Sequence, residues 1–298
     1  MEPSFIPPQP IRELRDLTRG RRRLVQDRAA VIQRIQKVLE DANIKLASVA
    51  TDVVGKSGWA MLEALVARAQ DPQKLAALAI GRLKAKRDLL HQALRGRVTD
   101  HHRFLLNFHM EQIRALDGFI ATLDQRIDEQ VQPFFQLIRR LDTVPGISDL
   151  SAKEISAEIG TDMDCFPDHD HLASWAGMCP GNNESAGKRK SGRTTKGNHW
   201  LRGTLGEAAW AAGRTKDTFL SSRYRRLASR RGKKRAIVAV GRSILVIVYH
   251  IIKDGATFKE LGADFYERHR THHLTRYHSK RLERLGYHVE LKPAEPAA

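Results

Sequence analysis

A serine among small residues, followed at once by cations, is the arrangement in this chain best suited to covalent chemistry. Ser185 stands in Pro180-Gly181-Asn182-Asn183-Glu184-Ser185-Ala186-Gly187, and Lys188, Arg189, Lys190, Arg193, Lys196 and Arg202 come directly after it. Small residues let a backbone approach a ligand closely. A serine hydroxyl is a poor nucleophile until a base or a metal helps remove its proton. Cations around it can hold a phosphate and offset the charge that develops on a pentacovalent phosphorus. The same residues also fit a solvated basic loop that binds phosphate without reacting, and residue types alone favour that plainer reading.

The charge continues past the loop. From Ala186 to Arg235 there are sixteen Lys and Arg, Arg223, Arg225, Arg226, Arg230, Arg231, Lys233, Lys234 and Arg235 among them, against only Glu207 and Asp217. That local excess of +14 is most of the chain's formal +17. A solubilising face would mix both signs, whereas one-signed density with Tyr224 set among arginines is what neutralising a phosphate backbone needs, and it predicts steep salt dependence. A nucleic acid is the expected partner.

Three further groups are weaker. Val144-Pro145-Gly146-Ile147 between helical stretches is similar to a helix-hairpin-helix turn, in which Pro145 and Gly146 bring backbone N–H groups to a nucleic-acid phosphate; an ordinary interhelical turn uses the same residues. Asp162, Asp164, Asp168, His169, Asp170 and His171 alternate in a manner that suggests a metal, but Asp170 is expected to serve as a helix cap instead. His269, His272, His273 and His278 sit among Arg270, Arg276, Lys280 and Arg281, which would repel a cation, so they read as basic surface. No metal ligand set is expected in this chain. Cys165 and Cys179 lack a second pair to complete a metal site and are expected to be reduced thiols, in a cytoplasmic protein.

The elements that position these groups are expected to be helical. Aromatic residues make up 6% of the 298 residues, too few for a large ring-rich sandwich or barrel. Residues 1–10 read as a linker because Pro7, Pro8 and Pro10 fix the backbone and remove donors. Residues 11–140 read as a helical, coiled-coil region. Leu17, Leu24, Val31 and Val38 recur at sevenfold spacing, a second segment runs from about Gln73 to Leu94, and Ile113, Leu116, Ile120, Leu123 and Ile127 alternate steps of three and four until Pro133. Such seams serve an intramolecular bundle or a homo-oligomer equally well. Residues 141–255 read as a compact domain carrying the serine loop, and 256–298 as a basic tail. Ala236 to Ile252 is almost continuously apolar with Arg242 its only charge; at that length, with a central arginine, it is expected to be a core helix and not a membrane span.

The order of these motifs carries a resemblance. Leu141-Asp142-Thr143-Val144-Pro145-Gly146-Ile147, then Phe166 with Leu172-Ala173-Ser174-Trp175-Ala176-Gly177, then Pro180 through Ser185-Ala186-Gly187-Lys188 to Lys196-Gly197-Asn198 and Leu201-Arg202, resembles the C-terminal domain of the IS one-ten insertion-sequence transposases. Lys234 to Val240 with Arg242, and Arg281 to Tyr287, are similar to the same family. The resemblance implies a mainly α protein in which a serine attacks DNA covalently, a bridge RNA supplies sequence specificity, and an N-terminal RuvC-like domain holds magnesium in a DEDD set of carboxylates. By position the serine is Ser185, with Ser191 the alternative register, and Lys188, Arg189, Lys196 and Arg202 would contact the scissile phosphate or its neighbours. Residues matching the RuvC-like domain do not occur in this sequence, so magnesium is expected only where such a domain is supplied, and the chain alone is expected to bind nucleic acid without cutting it. The rival expectation is a non-catalytic nucleic-acid-binding remnant, or a modulator of full-length transposase.

Overall fold

A computed structural model describes residues 7–181, 183–269 and 271–291, apart from the side chains of Asn183, Arg189, Lys190, His272, His273 and Leu274. Most of the expected linker and the end of the expected tail therefore lie outside the described residues. The chain is mainly α and divides into two compact units, one of Glu13–Gln130 and one of Met1–Arg12 with Val131–Ala298.

The unit of Glu13–Gln130 is built on two long helices, α1 (Gln9–Asp41) and α6 (Asp100–Gln130), with shorter helices between them. Helix α1 starts inside the stretch expected to be a linker. Pro10 sits in its first turn, where a missing N–H leaves no helical bond unmade. Arg21 pairs with Asp124 and Arg28 with Asp117, so each step of seven along α1 matches a step of seven back along α6. The two heptad stripes therefore pair antiparallel within one chain.

Between them lie α2 (Leu46–Val49), α3 (Lys56–Val66), α4 (Pro72–Ala77), a 3-10 turn at Gly81–Lys86 and α5 (Arg87–Ala93). Asp71 caps α4 by accepting from the Gln73 N–H at 2.8 Å. The single helix expected over Gln73 to Leu94 is thus broken. Gly81 takes a φ of +57°, a left-handed conformation that glycine adopts without strain, and the chain restarts as α5. Helices α2 and α3 carry no long stripe and were not anticipated by periodicity. Their Leu46, Met61, Leu62 and Leu65 nevertheless join Ile35, Leu39, Leu90, Leu106 and Met110 in the core of this unit.

The second unit comprises α7 (Phe135–Asp142), α8 (Asp149–Ile159), α9 (His169–Trp175), a hairpin of β1 (Asn183–Ser185) and β2 (Lys188–Ser191), α10 (His199–Ala212), α11 (Phe219–Arg231), α12 (Lys233–Asp254), α13 (Phe265–Arg268) and α14 (Thr271–Arg284). Helix α12 is the hub, since α7, α9, α10 and α11 all pack on it. Its Ala236, Val240, Gly241, Ile244, Leu245, Val248, Tyr249 and Ile251 are buried. At Gly241 a side chain would meet the Met178 methyl at 2.7 Å and the Leu205 carbonyl oxygen at 3.3 Å, so this glycine lets α10 come close. Among the described residues α12 is the one helix long and apolar enough to cross a membrane. Its packing against four neighbours is that of the expected core helix. Arg242 leaves the apolar face to pair with Asp170.

The tail expected from residue 256 onward is not plain. Glu260 accepts from the Phe219 N–H at 2.7 Å, and the Phe265 and Tyr266 rings lie 5.0 and 5.5 Å from that of Phe219, which anchors α13 on α11. Removing a buried leucine side chain from the hub leaves a cavity. Leu245→Ala is expected to lower stability by about 2–5 kcal/mol, read from a shift of the denaturant midpoint at unchanged slope.

Candidate nucleic-acid interface

Ser185 ends β1 and faces Lys188 across the strand pair, with Ala186 and Gly187 as the two-residue turn between them. Directly paired residues of an antiparallel ladder hold their Cβ atoms about 5 Å apart, so a lysine ammonium is held within reach of whatever the hydroxyl meets. The expected loop is therefore a hairpin. Ala186 and Gly187 have φ of +50° and +72°, the left-handed pair that a type I′ turn requires. Ala186 does more than stiffen this tip: its methyl group strains it. A bulge on β2, opposite Asn183, shifts the register further down, with Asn183 facing Ser191 and Glu184 facing Arg189. Ser191 thus lies at the far end of β2 from the tip. Among the described residues no side chain hydrogen-bonds the Ser185 hydroxyl.

The stem is fixed more firmly than the tip. The Gly181 N–H donates to the Arg193 carbonyl at 2.8 Å, and Pro180 bridges to Thr194. At its foot Gly177 and Gly197 cross so closely that a Cβ on Gly197 would lie 2.4 Å from the Gly177 nitrogen. Arg202, also expected to meet a phosphate, donates to the Thr194 hydroxyl at 3.0 Å and the Thr195 carbonyl at 3.3 Å, bracing the returning strand. Asn198 caps α10, accepting from the Trp200 and Leu201 N–H groups, and its amide donates to the buried Glu158 carboxylate at 2.5 Å. The start of α10 is thus already satisfied by side chains.

Of the cations expected beside Ser185, Lys188 is exposed next to the turn, and Arg193 and Lys196 are exposed on the returning segment. Arg189 and Lys190 lie on β2, with side chains outside the described residues. Pro145 and Gly146 lie elsewhere. Gly146, at φ +92°, packs so tightly on α10 that a Cβ would come within 2.2 Å of the Ala208 carbonyl oxygen and 2.7 Å of the Ala212 nitrogen. Ten residues of helix from Arg202 to Ala212 span about 15 Å. The Pro-Gly turn and the hairpin therefore hold opposite ends of α10. Ser148 caps α8 beyond that turn, and Asp149 in its first turn opposes an approaching phosphate.

The remaining charge is sorted by element. On α11, Arg225 has donors directed at Ser221, and the Arg226 guanidinium lies 4.9 Å from the centre of the Tyr266 ring. Arg223 donates to the Tyr266 hydroxyl at 2.8 Å. Past these, Arg230, Arg231, Lys233, Lys234 and Arg235 are all exposed around Gly232, where α11 turns into α12. Among the described residues none of the five forms an ion pair. Sequence reading did not anticipate the Tyr266 contacts, because they join residues some forty positions apart.

The Asp and His run forms a helix start. Asp168, not Asp170, caps α9, accepting at 2.8 Å from the Asp170 and His171 N–H groups. The His171 N–H, then its imidazole, and the Asp170 N–H hold the Asp168 carboxyl down at about 2. Among the described residues no three His, Cys, Asp or Glu side chains converge as a metal ion requires. Both cysteines are free thiols, and partial burial, helped by the nearby Asp162 charge, pushes that of Cys165 up.

Two substitutions test this geometry. Gly146→Ala is expected to destabilise the protein by more than about 2 kcal/mol, because it adds a backbone clash to a left-handed φ. Ala186→Gly is expected to slow hydrogen exchange of the hairpin amides by about 5- to 30-fold, the equivalent of removing about 1–2 kcal/mol of left-handed strain.

No curated protein matches the chain. Residues 138–225 match the family described as Transposase IS116/IS110/IS902. That span runs from α7 through the Pro-Gly turn, the hairpin and α10 into α11, and so holds every element that positions Ser185 except α12. Residues 138–225, somewhat under a third of the chain, are thus similar to the transposase domain of the IS116/IS110/IS902 family.

Proposed function

We propose that this chain takes part in DNA transposition with Ser185 as the nucleophile on a DNA phosphodiester. The observation that carries the reading is the placement of Ser185 at an exposed hairpin tip, paired with Lys188, inside the matched transposase span. The serine oxygen forms a bond to phosphorus as one deoxyribose oxygen leaves. The hydroxyl proton passes to a base, the leaving oxygen departs protonated, and the phosphate stays on the protein as a phosphoserine ester. The hydroxyl of another strand then displaces the serine, which completes strand exchange without loss of the phosphodiester. Lys188, with Arg193 and Lys196 behind it, supports the phosphate charge as it builds.

The exposed cations at the turn from α11 to α12 bind the duplex backbone, and sequence selection falls to a bridge RNA, since phosphate contacts position a protein without reading bases. Oligomerisation through the long helices is supported by Phe104, Phe108 and Phe119, which stand exposed on α6. Among the described residues no three carboxylates converge, and magnesium would be held by the DEDD carboxylates of an acidic domain supplied alongside this chain. The second reading is a chain that binds nucleic acid without cutting it, which the exposed cations around Gly232 support as well.

Covalent trapping on a DNA substrate, with and without an added acidic domain, is expected to give an adduct that Ser185→Ala abolishes. An adduct that survives in Ser185→Ala would remove Ser185 from this role. If Arg230, Arg231, Lys233, Lys234 and Arg235 each neutralise one phosphate, changing all five to Gln should flatten the slope of log affinity against log salt by about 4–5 units. An unchanged slope would place the backbone contact elsewhere.

A further inference from the structure

His199, Gly203, Gly206, Trp210 and Arg214 recur at steps of four, three, four and four, which places them on one face of α10 and just past its end. Trp210 is 42% exposed, whereas Trp59, Trp175 and Trp200 are each further buried. Its indole is held in place. The Arg214 guanidinium lies 4.3 Å from the ring centre, within the range of a cation–π contact. Beside the ring, a side chain at Gly206 would meet nothing within 4 Å, so the surface one turn away is open. Arg214 thus puts positive charge on the ring, with Lys216 and Asp217 exposed just beyond it and Glu207 exposed one turn before.

We propose that Trp210 is a stacking platform for an unpaired nucleobase, with Arg214 and Lys216 drawing the strand's phosphates alongside. This rests on the nucleic-acid reading of the domain and adds to it a ligand class, single-stranded or extruded nucleotides, at a place that phosphate neutralisation does not explain. A base inside a duplex has both faces covered by its neighbours and cannot lie on a ring that stands up from a helix. An unpaired base presents a free π-face, and a planar, apolar ring stiffened by a cation is its natural complement. Neutralising phosphates gives affinity that salt removes. Stacking gives affinity that salt leaves in place, so the two are separable by measurement.

The test is titration of labelled oligothymidine, oligouridine and a mixed-sequence duplex with the full chain over a range of salt. Trp210→Ala is expected to weaken binding of at least one single strand by about 5- to 150-fold with an unchanged salt slope, and to leave the duplex within about twofold. The thymidine and uridine arms tell whether the strand is DNA or RNA. Trp210→Phe should restore most of the loss, which a folding defect would not allow. An equal loss on duplex and single strands, a changed salt slope, or no loss at all would overturn the stacking role. Absence of salt-dependent binding by the unaltered chain would instead overturn the phosphate-neutralisation reading on which it rests.

Discussion

The hydrogen bond from Asn198 to Glu158 is the contact on which the geometry of the second unit depends. A buried carboxylate is costly unless its oxygens are engaged, and Glu158 is only 3% exposed. Asn198 meets that need with its amide while its carbonyl oxygen closes the first turn of α10. One side chain therefore fastens α8 to α10 at the point where the hairpin returns to the helix. The orientation of the tip follows from this junction, together with the Gly177–Gly197 crossing and the Arg202 brace. Sequence motifs described by their charge turn out to be held by uncharged and buried groups.

Helix α10 then acts as a spacer with a different task at each end. Its start carries the hairpin, its finish receives the Pro145-Gly146 turn, and its open flank carries Trp210. This division accounts for Gly146 in a way a phosphate-binding turn does not: left-handed backbone and near-contact with the Ala208 carbonyl both exclude a side chain, whatever lies outside. The hub beneath, α12, has the continuous apolar character of a membrane span for the same reason that it is central. It must satisfy neighbours on most of its circumference, and Arg242 is tolerated because Asp170 meets it at the edge.

The long stripes of α1 and α6 and the apolar run of α12 were legible in sequence because burial on one face, or all round, leaves a periodic record. Helices α2 and α3 were not, since in helices this short the buried face holds only a few apolar residues, with Ser57 and Gly58 among those buried on α3. The break at Gly81 was missed because leucines continue in helical spacing on both sides of it. At the site, the residue types around Ser185 were legible but the hairpin was not, as its turn has alanine where glycine or asparagine would have signalled it. Asp170 was mistaken for the cap because Asp168 and Asp170 both precede the helix, and only the hydrogen bonds distinguish them. Arg202 and Arg226 looked like free cations. Their partners Thr194 and Tyr266 are neutral and leave no mark in a count of charge.

The methyl group of Ala186 has a thermodynamic consequence at the tip. A left-handed alanine costs about 1–2 kcal/mol, which lowers the equilibrium constant between closed and open turn, relative to an unstrained one, by a factor of about 5 to 30. Any ligand that requires the closed turn binds more weakly in proportion to its population, and in binding restores it. Order at the hairpin and occupancy by any such ligand are thereby linked quantities. The serine is presented most fully when there is something for it to meet.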